Sequence, residues 1–319
     1  MTEKGKENLD NALKMLEDGV RDVFESNKFQ EVLDTMSKFH SYSMNNIILI
    51  ESQRPTATNV AGFSTWKKLG RNVIKGESGI QILAPVPRKY DVEVEKTDKD
   101  GNVTKEIEQK EYMSFRVAYV FDIEQTEGKE LTLDITKTLD RENPNYEMLY
   151  DTLKQITDCK VIEEDTGKAN GYFNKVDNVI AVKKDNPLEQ KIKTIIHEIA
   201  HSKLHNTPEA SFMDSKHKEI EAEATAYVVC NYLGIDSSDY SFGYVAGWSR
   251  DKESDYLKSV LDKIKDVSNE IIDLTEDKYK ELNKEQSHSI ADMIKNAKEK
   301  YETLKTDIKE PSIEKGIAL

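Results

Sequence analysis

The chain is poor in cysteine. Its two cysteines, Cys159 and Cys230, lie far apart without CxxC spacing and read as ordinary small core residues. No apolar run approaches the roughly eighteen residues that a membrane span needs. The amino terminus, MTEKGKENLD, has no apolar stretch of the kind a secretory signal carries. A cytoplasmic, reducing setting without a membrane partner is therefore expected. Internal repeats and low-complexity tracts are also missing.

Acids outnumber bases, 60 to 46. A net charge of −14 by itself argues against a nucleic-acid partner. The distribution says otherwise. Between Ser52 and Tyr90 stand seven basic residues (Arg54, Lys67, Lys68, Arg71, Lys75, Arg88 and Lys89) and one acid, Glu77. That segment carries +6, which leaves −20 for the remainder (−14 minus +6). Phe63, Trp66 and Tyr90 lie among these bases and Tyr42 just upstream, so phosphates and stacked bases could both find partners there. Helical spacing also lets Phe63 and Trp66 be core residues, Phe63 more readily than Trp66. No base-reading motif is present, so any binding is expected to be largely independent of sequence.

A length of 319 residues suffices for two domains, and 37% hydrophobic with 33% charged residues fits a helix-rich globular protein. Leu9, Leu13, Leu16, Val20, Val23 and Phe24, then Val32, Leu33, Met36 and Phe39, recur at helical spacing, and a short helix is predicted over 62–69. RNVIKGESGIQILAPV, from Arg71, alternates apolar and polar residues around Gly76 and Gly79 and reads as a β-hairpin. Further strands are predicted at 90–95 and 104–109, flanking the turn DKDGN, and at 115–121. An α+β domain over 1–128 follows. Residues 126–145 read as linker.

Residues 129–319 then form a mainly helical domain with a small β-sheet. Tyr146–Ile156 looks helical, and GYFNKVDNVIAV, from Gly171, reads as a hairpin turning near Asp177 and Asn178. Helices follow over 187–206 and 217–233, the second ended by Gly234. Two amphipathic helices are expected after Trp248.

His197-Glu198-Ile199-Ala200-His201 lies inside the apolar-periodic run Ile192, Ile195, Ile196, Ile199. Positions four apart share a helical face, so the two imidazoles can grip one ion. Glu198 then lies beside the ion without binding it, placed to take a proton from a water there. The competing reading is a pair of surface histidines with no metal. Zinc needs a further ligand, and Glu219, eighteen residues after His201, shares a face with Glu223. One of this pair can bind the ion while the other accepts the free N–H of a ligating histidine. Glu221 is expected to face solvent. A merely solvated acidic face is the alternative for the whole cluster.

HEIAH followed by ExxAE resembles the gluzincin-type zincins. That resemblance implies Glu219 as third ligand and Glu223 as its supporter, with one Zn2+ per chain and another divalent metal as the alternative. His205 does not fit metzincin spacing and reads as a residue behind the ligands or on the surface. NNIILIESQRPTATNVAGFSTWKKLGRNVIKGESGIQILAPV, from Asn45, and FDIEQT, from Phe121, resemble the amino-terminal domain of ArdC-type antirestriction proteins. The resemblance implies a single-stranded DNA-binding domain followed by a zincin-like metallopeptidase domain, in a protein of mobile elements that protects incoming DNA from restriction. On this reading Arg54, Trp66, Lys67, Lys68, Arg71, Lys75, Arg88 and Lys89 contact DNA. Two other readings compete: a regulatory zinc metalloprotease that cleaves a repressor-type protein, and a binding protein with a structural metal. An intact Glu198 speaks against the last. Tyr172 and Tyr244 are the guesses for an oxyanion-stabilising group.

Overall fold

A computed structural model describes residues 2–25, 28–97, 103–130 and 145–307, the last stretch in backbone only beyond 284. Three helices open the chain: α1 (Glu3–Glu25), α2 (Phe29–Lys38) and α3 (Met44–Gln53). The predicted stripe is the buried one. Leu16, Val20, Val23 and Phe24 of α1 pack with Val32, Leu33 and Met36 of α2 and Ile47–Ile50 of α3, while Leu13 stays half-exposed.

A three-stranded antiparallel sheet follows, in the order β1 (Val60–Gly62), β4 (Val103–Asp122), β3 (Ile80–Thr97), with α4 (Phe63–Lys68) after β1. The strands predicted at 90–95, 104–109 and 115–121 belong to just two long strands, β3 and β4, in register from Ile80↔Val120 to Thr97↔Val103. The DKDGN turn lies outside the described residues. Among the described residues β3 is an edge strand of this sheet, and α3 covers its base. Asn46 exchanges hydrogen bonds with both Leu83 backbone groups (3.1 and 2.8 Å), and Gln53 does the same with Gln81 (2.9 and 2.9 Å). Two side-chain amides thus satisfy backbone groups that an edge strand would otherwise leave unpaired.

The hairpin expected from Arg71 does not form. β2 (Arg71–Val73) pairs instead with β5 (Thr126–Gly128), so the residues read as the start of a linker close a second, two-stranded sheet. Local alternation identifies a strand without identifying its partner. FDIEQT is the clasp. Asp122, fully buried, accepts from the backbone N–H of Thr58 (2.9 Å), Asn59 (3.0 Å) and Glu124 (3.1 Å), and Gln125 donates to Glu77 and the Ser78 carbonyl. The remainder of the predicted linker, 131–144, is not among the described residues.

The second half begins with α5 (Tyr146–Gln155). Its sheet has the order β6 (Lys160–Glu164), β8 (Val179–Lys183), β7 (Gly171–Asn174), with β7 and β8 antiparallel around Asn178, which takes the left-handed conformation (φ 51°). α6 (Leu188–His205) lies against this sheet. At Gly171 a Cβ would stand 2.5 Å from Thr194 Cγ2 and 2.6 Å from the Ala181 carbonyl, so only glycine allows that approach. α7 (Ser215–Leu233) ends on Gly234, left-handed at φ 75°. α8 (Val245–Ser249) and α9 (Ser254–Asp307) complete the chain. The two helices expected after Trp248 are this one continuous α9, for no glycine or proline interrupts residues 254–307.

α7 is buried on two faces. Ile220, Ala224, Tyr227 and Val228 join the core of α1–α3, together with Trp248, Val260 and Leu261. Ala226, Val229, Cys230 and Leu233 join the second core, with Ile192, Ile195, Ile196 and Ile199 of α6 and Ile271 and Ile272 of α9. Among the described residues no helix is long and apolar enough to cross a membrane.

Candidate metal centre

α6 presents its sheet-facing isoleucines to the second core and, on the adjoining face, its histidines to α7. His197 Nε2 and His201 Nε2 stand 3.0 Å apart, as the four-residue spacing requires. Glu219 of α7 reaches both, with one oxygen 3.5 Å from His197 Nε2 and the other 3.4 Å from His201 Nε2. One ligand atom from each of the three residues lies within 4.8 Å of the others. Donors about 2.0–2.1 Å from a tetrahedral zinc stand roughly 3.3 Å from one another. The observed spacings bracket that edge, so the donor set fits a divalent metal.

The electrostatics agree. The imidazoles hold the Glu219 carboxyl well below the usual carboxylate range. Burial works against a charged His197, yet Glu219, Glu198 and Glu223 outweigh it and raise its proton affinity. Three carboxylates around two imidazoles make a place that attracts a cation. Glu198 is buried beside them, and burial raises its carboxyl above the ordinary value although both histidines oppose this. It borders a cleft of about 410 Å³ lined by Gly171, Thr194, His197, Glu223, Asp239 and Tyr240. Glu223 does not take up the N–H of a ligating histidine; its carboxylate accepts from the Tyr244 hydroxyl. Tyr172 is turned toward Glu164 (2.6 Å).

Glu221 departs furthest from expectation. It is 1% exposed, not solvated. His205 Nε2 and His217 Nε2 each lie 3.1 Å from one of its oxygens, and Lys263 Nζ stands at 3.8 Å. His205 in turn meets the back of His201, Nδ1 to Nδ1 at 3.0 Å. A position pointing away from the ligand face of a helix is normally solvated, but on α7 that direction leads into protein. His205 four residues after His201, and His217 four before Glu221, were the available signals.

Two family models match the chain in succession. Residues 6–121 match the N-terminal domain of the anti-restriction factor ArdC, and residues 155–230 match the IrrE N-terminal-like domain of the M78 peptidases. The architecture is ArdC-like. An uncharacterized protein of Bacillus anthracis is 27% identical over 296 residues, covering 80% of this chain and 49% of that protein, so the chain spans about half the length of this relative. Crystal structures of the antirestriction ArdC protein from the R388 plasmid cover 73% (metal-free, 18% identical, TM-score 0.43) and 75% (Mn(II)-bound, 19%, TM-score 0.45) of this chain, and 85% of theirs.

Within the ArdC-type domain the basic segment divides. Arg54 pairs with Asp122 (3.8 Å) and Glu124 (3.3 Å), and Lys89 with Glu111 (2.9 Å). Arg71 is spent on Thr126 and on the carbonyls of Ile123, Thr126 and Lys129. Trp66, expected to stack on a base, is 3% exposed and donates to the Phe121 carbonyl at 2.8 Å. It is a core residue, whereas Phe63, expected in the core, is exposed. Lys67, Lys68, Lys75 and Arg88 are exposed. Further exposed aromatics lie along the paired strands β3 and β4. Register puts Arg88 opposite Tyr112 and Tyr90 opposite Lys110, with Arg116 on the same face, and the two tyrosine rings meet edge-on at 5.7 Å. Sequence reasoning missed this face because half of it comes from β4, outside the basic segment.

Proposed function

We propose that this chain is an antirestriction-type protein of a mobile element, joining a single-stranded DNA-binding domain to a zinc-dependent hydrolytic centre of the metallopeptidase type. The observation that carries the reading is the convergence of His197 Nε2, His201 Nε2 and Glu219 beside a buried Glu198. His197, His201 and Glu219 would hold the metal. When bound, it supplies Lewis acidity that sharpens a nearby water or carbonyl toward reaction. Glu198 is the general base: a buried carboxylate with raised proton affinity, open to the cleft, takes a proton from the attacking water and returns it to the leaving group. Neither tyrosine holds a free proton for a developing oxyanion in this arrangement, since the Tyr244 hydroxyl donates to Glu223 and the Tyr172 hydroxyl to Glu164. Glu198→Gln should abolish hydrolysis.

The DNA half rests on exposed Lys67, Lys68, Lys75 and Arg88 and on the Tyr90–Tyr112 face of the hairpin. Phosphates need the former and bases the latter. Titration of the full chain with a fluorescent single-stranded oligonucleotide at rising salt tests it: binding should be modest, nearly independent of sequence and steeply salt-dependent. Lys67→Glu with Lys68→Glu should weaken it uniformly. The acids paired with Arg54 and Lys89 consume part of the basic segment, which favours the second reading, a regulatory protease whose first domain recognises a protein. Absence of binding at low salt puts that reading first.

A further inference from the structure

A chain of hydrogen bonds runs from α9 to the back of the metal centre. The Tyr256 hydroxyl is 3.0 Å from His217 Nδ1, and His217 Nε2 is 3.1 Å from Glu221 Oε1. Glu221 Oε2 is 3.1 Å from His205 Nε2, and His205 Nδ1 is 3.0 Å from His201 Nδ1. Glu221, His205 and His217 are all buried.

Only one arrangement of protons satisfies this chain when its imidazoles are neutral. A carboxylate accepts and cannot donate, whereas a neutral imidazole has one donor and one acceptor nitrogen. His205 and His217 must therefore each point an Nε2–H at Glu221, which makes both Nδ1 atoms acceptors. Tyr256 donates to one of them. His201 must donate from Nδ1 to the other. His201 Nε2 is then left with its lone pair, and that nitrogen is the one facing His197 and Glu219.

We infer that Glu221, acting through His205, is a positioning group that fixes the tautomer and ring orientation of His201 for metal binding. A ligating histidine commonly gives its second N–H to a carboxylate, which orients the ring and strengthens the donor. Here a second histidine is interposed, so the carboxylate acts from one imidazole farther away. The hydrogen bonds from His205 and His217, and more weakly Lys263 at 3.8 Å, offset the buried charge of Glu221. In Glu221→Gln one of the two histidines would meet an NH2 instead of an oxygen. If that histidine is His205, its proton must move to Nδ1, against the proton on His201.

The inference rests on His197, His201 and Glu219 being metal ligands, and Co(II) binding to the full chain separates the two claims. If the parent chain binds no Co(II), the ligand reading fails and this inference with it. If the parent binds and His201→Ala does not, the ligand reading stands. Glu221→Gln and His205→Leu should then bind Co(II) about 10- to 100-fold more weakly, with an altered visible spectrum. His205→Gln, whose amide can both accept and donate, should recover part of the loss. Tyr256→Phe, on the far branch, should leave Co(II) affinity and spectrum close to those of the parent. Parent-like affinity and spectrum in both Glu221→Gln and His205→Leu would overturn the inference. So would losses that merely track the melting temperature of the metal-free proteins across all variants, Tyr256→Phe included.

Discussion

The Tyr227 hydroxyl donates to Asp34 Oδ1 at 2.5 Å, and Asn231 Nδ2 donates to the same oxygen at 2.9 Å. Asp34 lies on α2 and both donors on α7, so the ArdC-type domain holds the helix that offers Glu219. The shared core of α1–α3 with α7–α9 does the same on a larger scale. Asp34→Ala should cost about 1–3 kcal/mol, because it removes the acceptor shared by the buried Tyr227 and the half-buried Asn231. Melting of the full chain should remain a single transition. Two separate transitions in calorimetry would show that the halves fold independently.

Glu51 gives a pH dependence. It is buried, and burial raises its carboxyl above the ordinary 4.5 despite the hydrogen bond donated by Thr35. A folded value above the unfolded one means that the fold favours the protonated form. Its contribution is therefore fully present below pH 4.5 and is lost as pH rises through the folded value. Glu51→Gln should raise the melting temperature at pH 7 more than at pH 4. An equal change at both, in thermal denaturation, would contradict the assignment.

Gly171 sets the distance between the small sheet and α6. Gly171→Ala should destabilise by about 1–3 kcal/mol through overpacking against Thr194 and the Ala181 carbonyl. Because α6 carries both histidines, metal affinity should fall as well, which a chelator competition would detect.

Trp66 and Tyr112 should behave oppositely. Trp66→Ala removes a buried side chain and its bond to Phe121, at a cost of about 3–5 kcal/mol. Tyr112→Ala removes an exposed ring, so circular dichroism and melting should be nearly unchanged, while oligonucleotide affinity falls by about 1–3 kcal/mol. Unchanged affinity in Tyr112→Ala would remove the hairpin face from the DNA reading.

What was legible in the sequence followed from periodicity. Spacing puts His197 and His201 on one face of α6, the resemblance to gluzincin-type zincins singles out Glu219 from Glu223, and the fold brings these three side chains together; the helical stripes of α1–α3 are buried as expected. What was not legible depended on partners distant in the chain. The β2–β5 pairing joins residues 71–73 to 126–128, which local alternation cannot announce. Glu221 looked solvated because a helical wheel shows one ligand face and its opposite, whereas α7 is enclosed from both sides by separate cores. Trp66 beside Lys67 and Lys68 resembled a stacking residue, and only the fold shows that its indole faces Phe121.

The central claim is that His197, His201 and Glu219 hold one divalent metal with Glu198 beside it as a base. Elemental metal analysis of the purified full chain and three variants tests it most directly, covering zinc and manganese. The parent should carry about one metal per chain, and Glu198→Gln should carry the same. His201→Ala should lose it, and Glu219→Ala should lose more than Glu223→Ala. A His201→Ala protein as fully loaded as the parent would contradict the account.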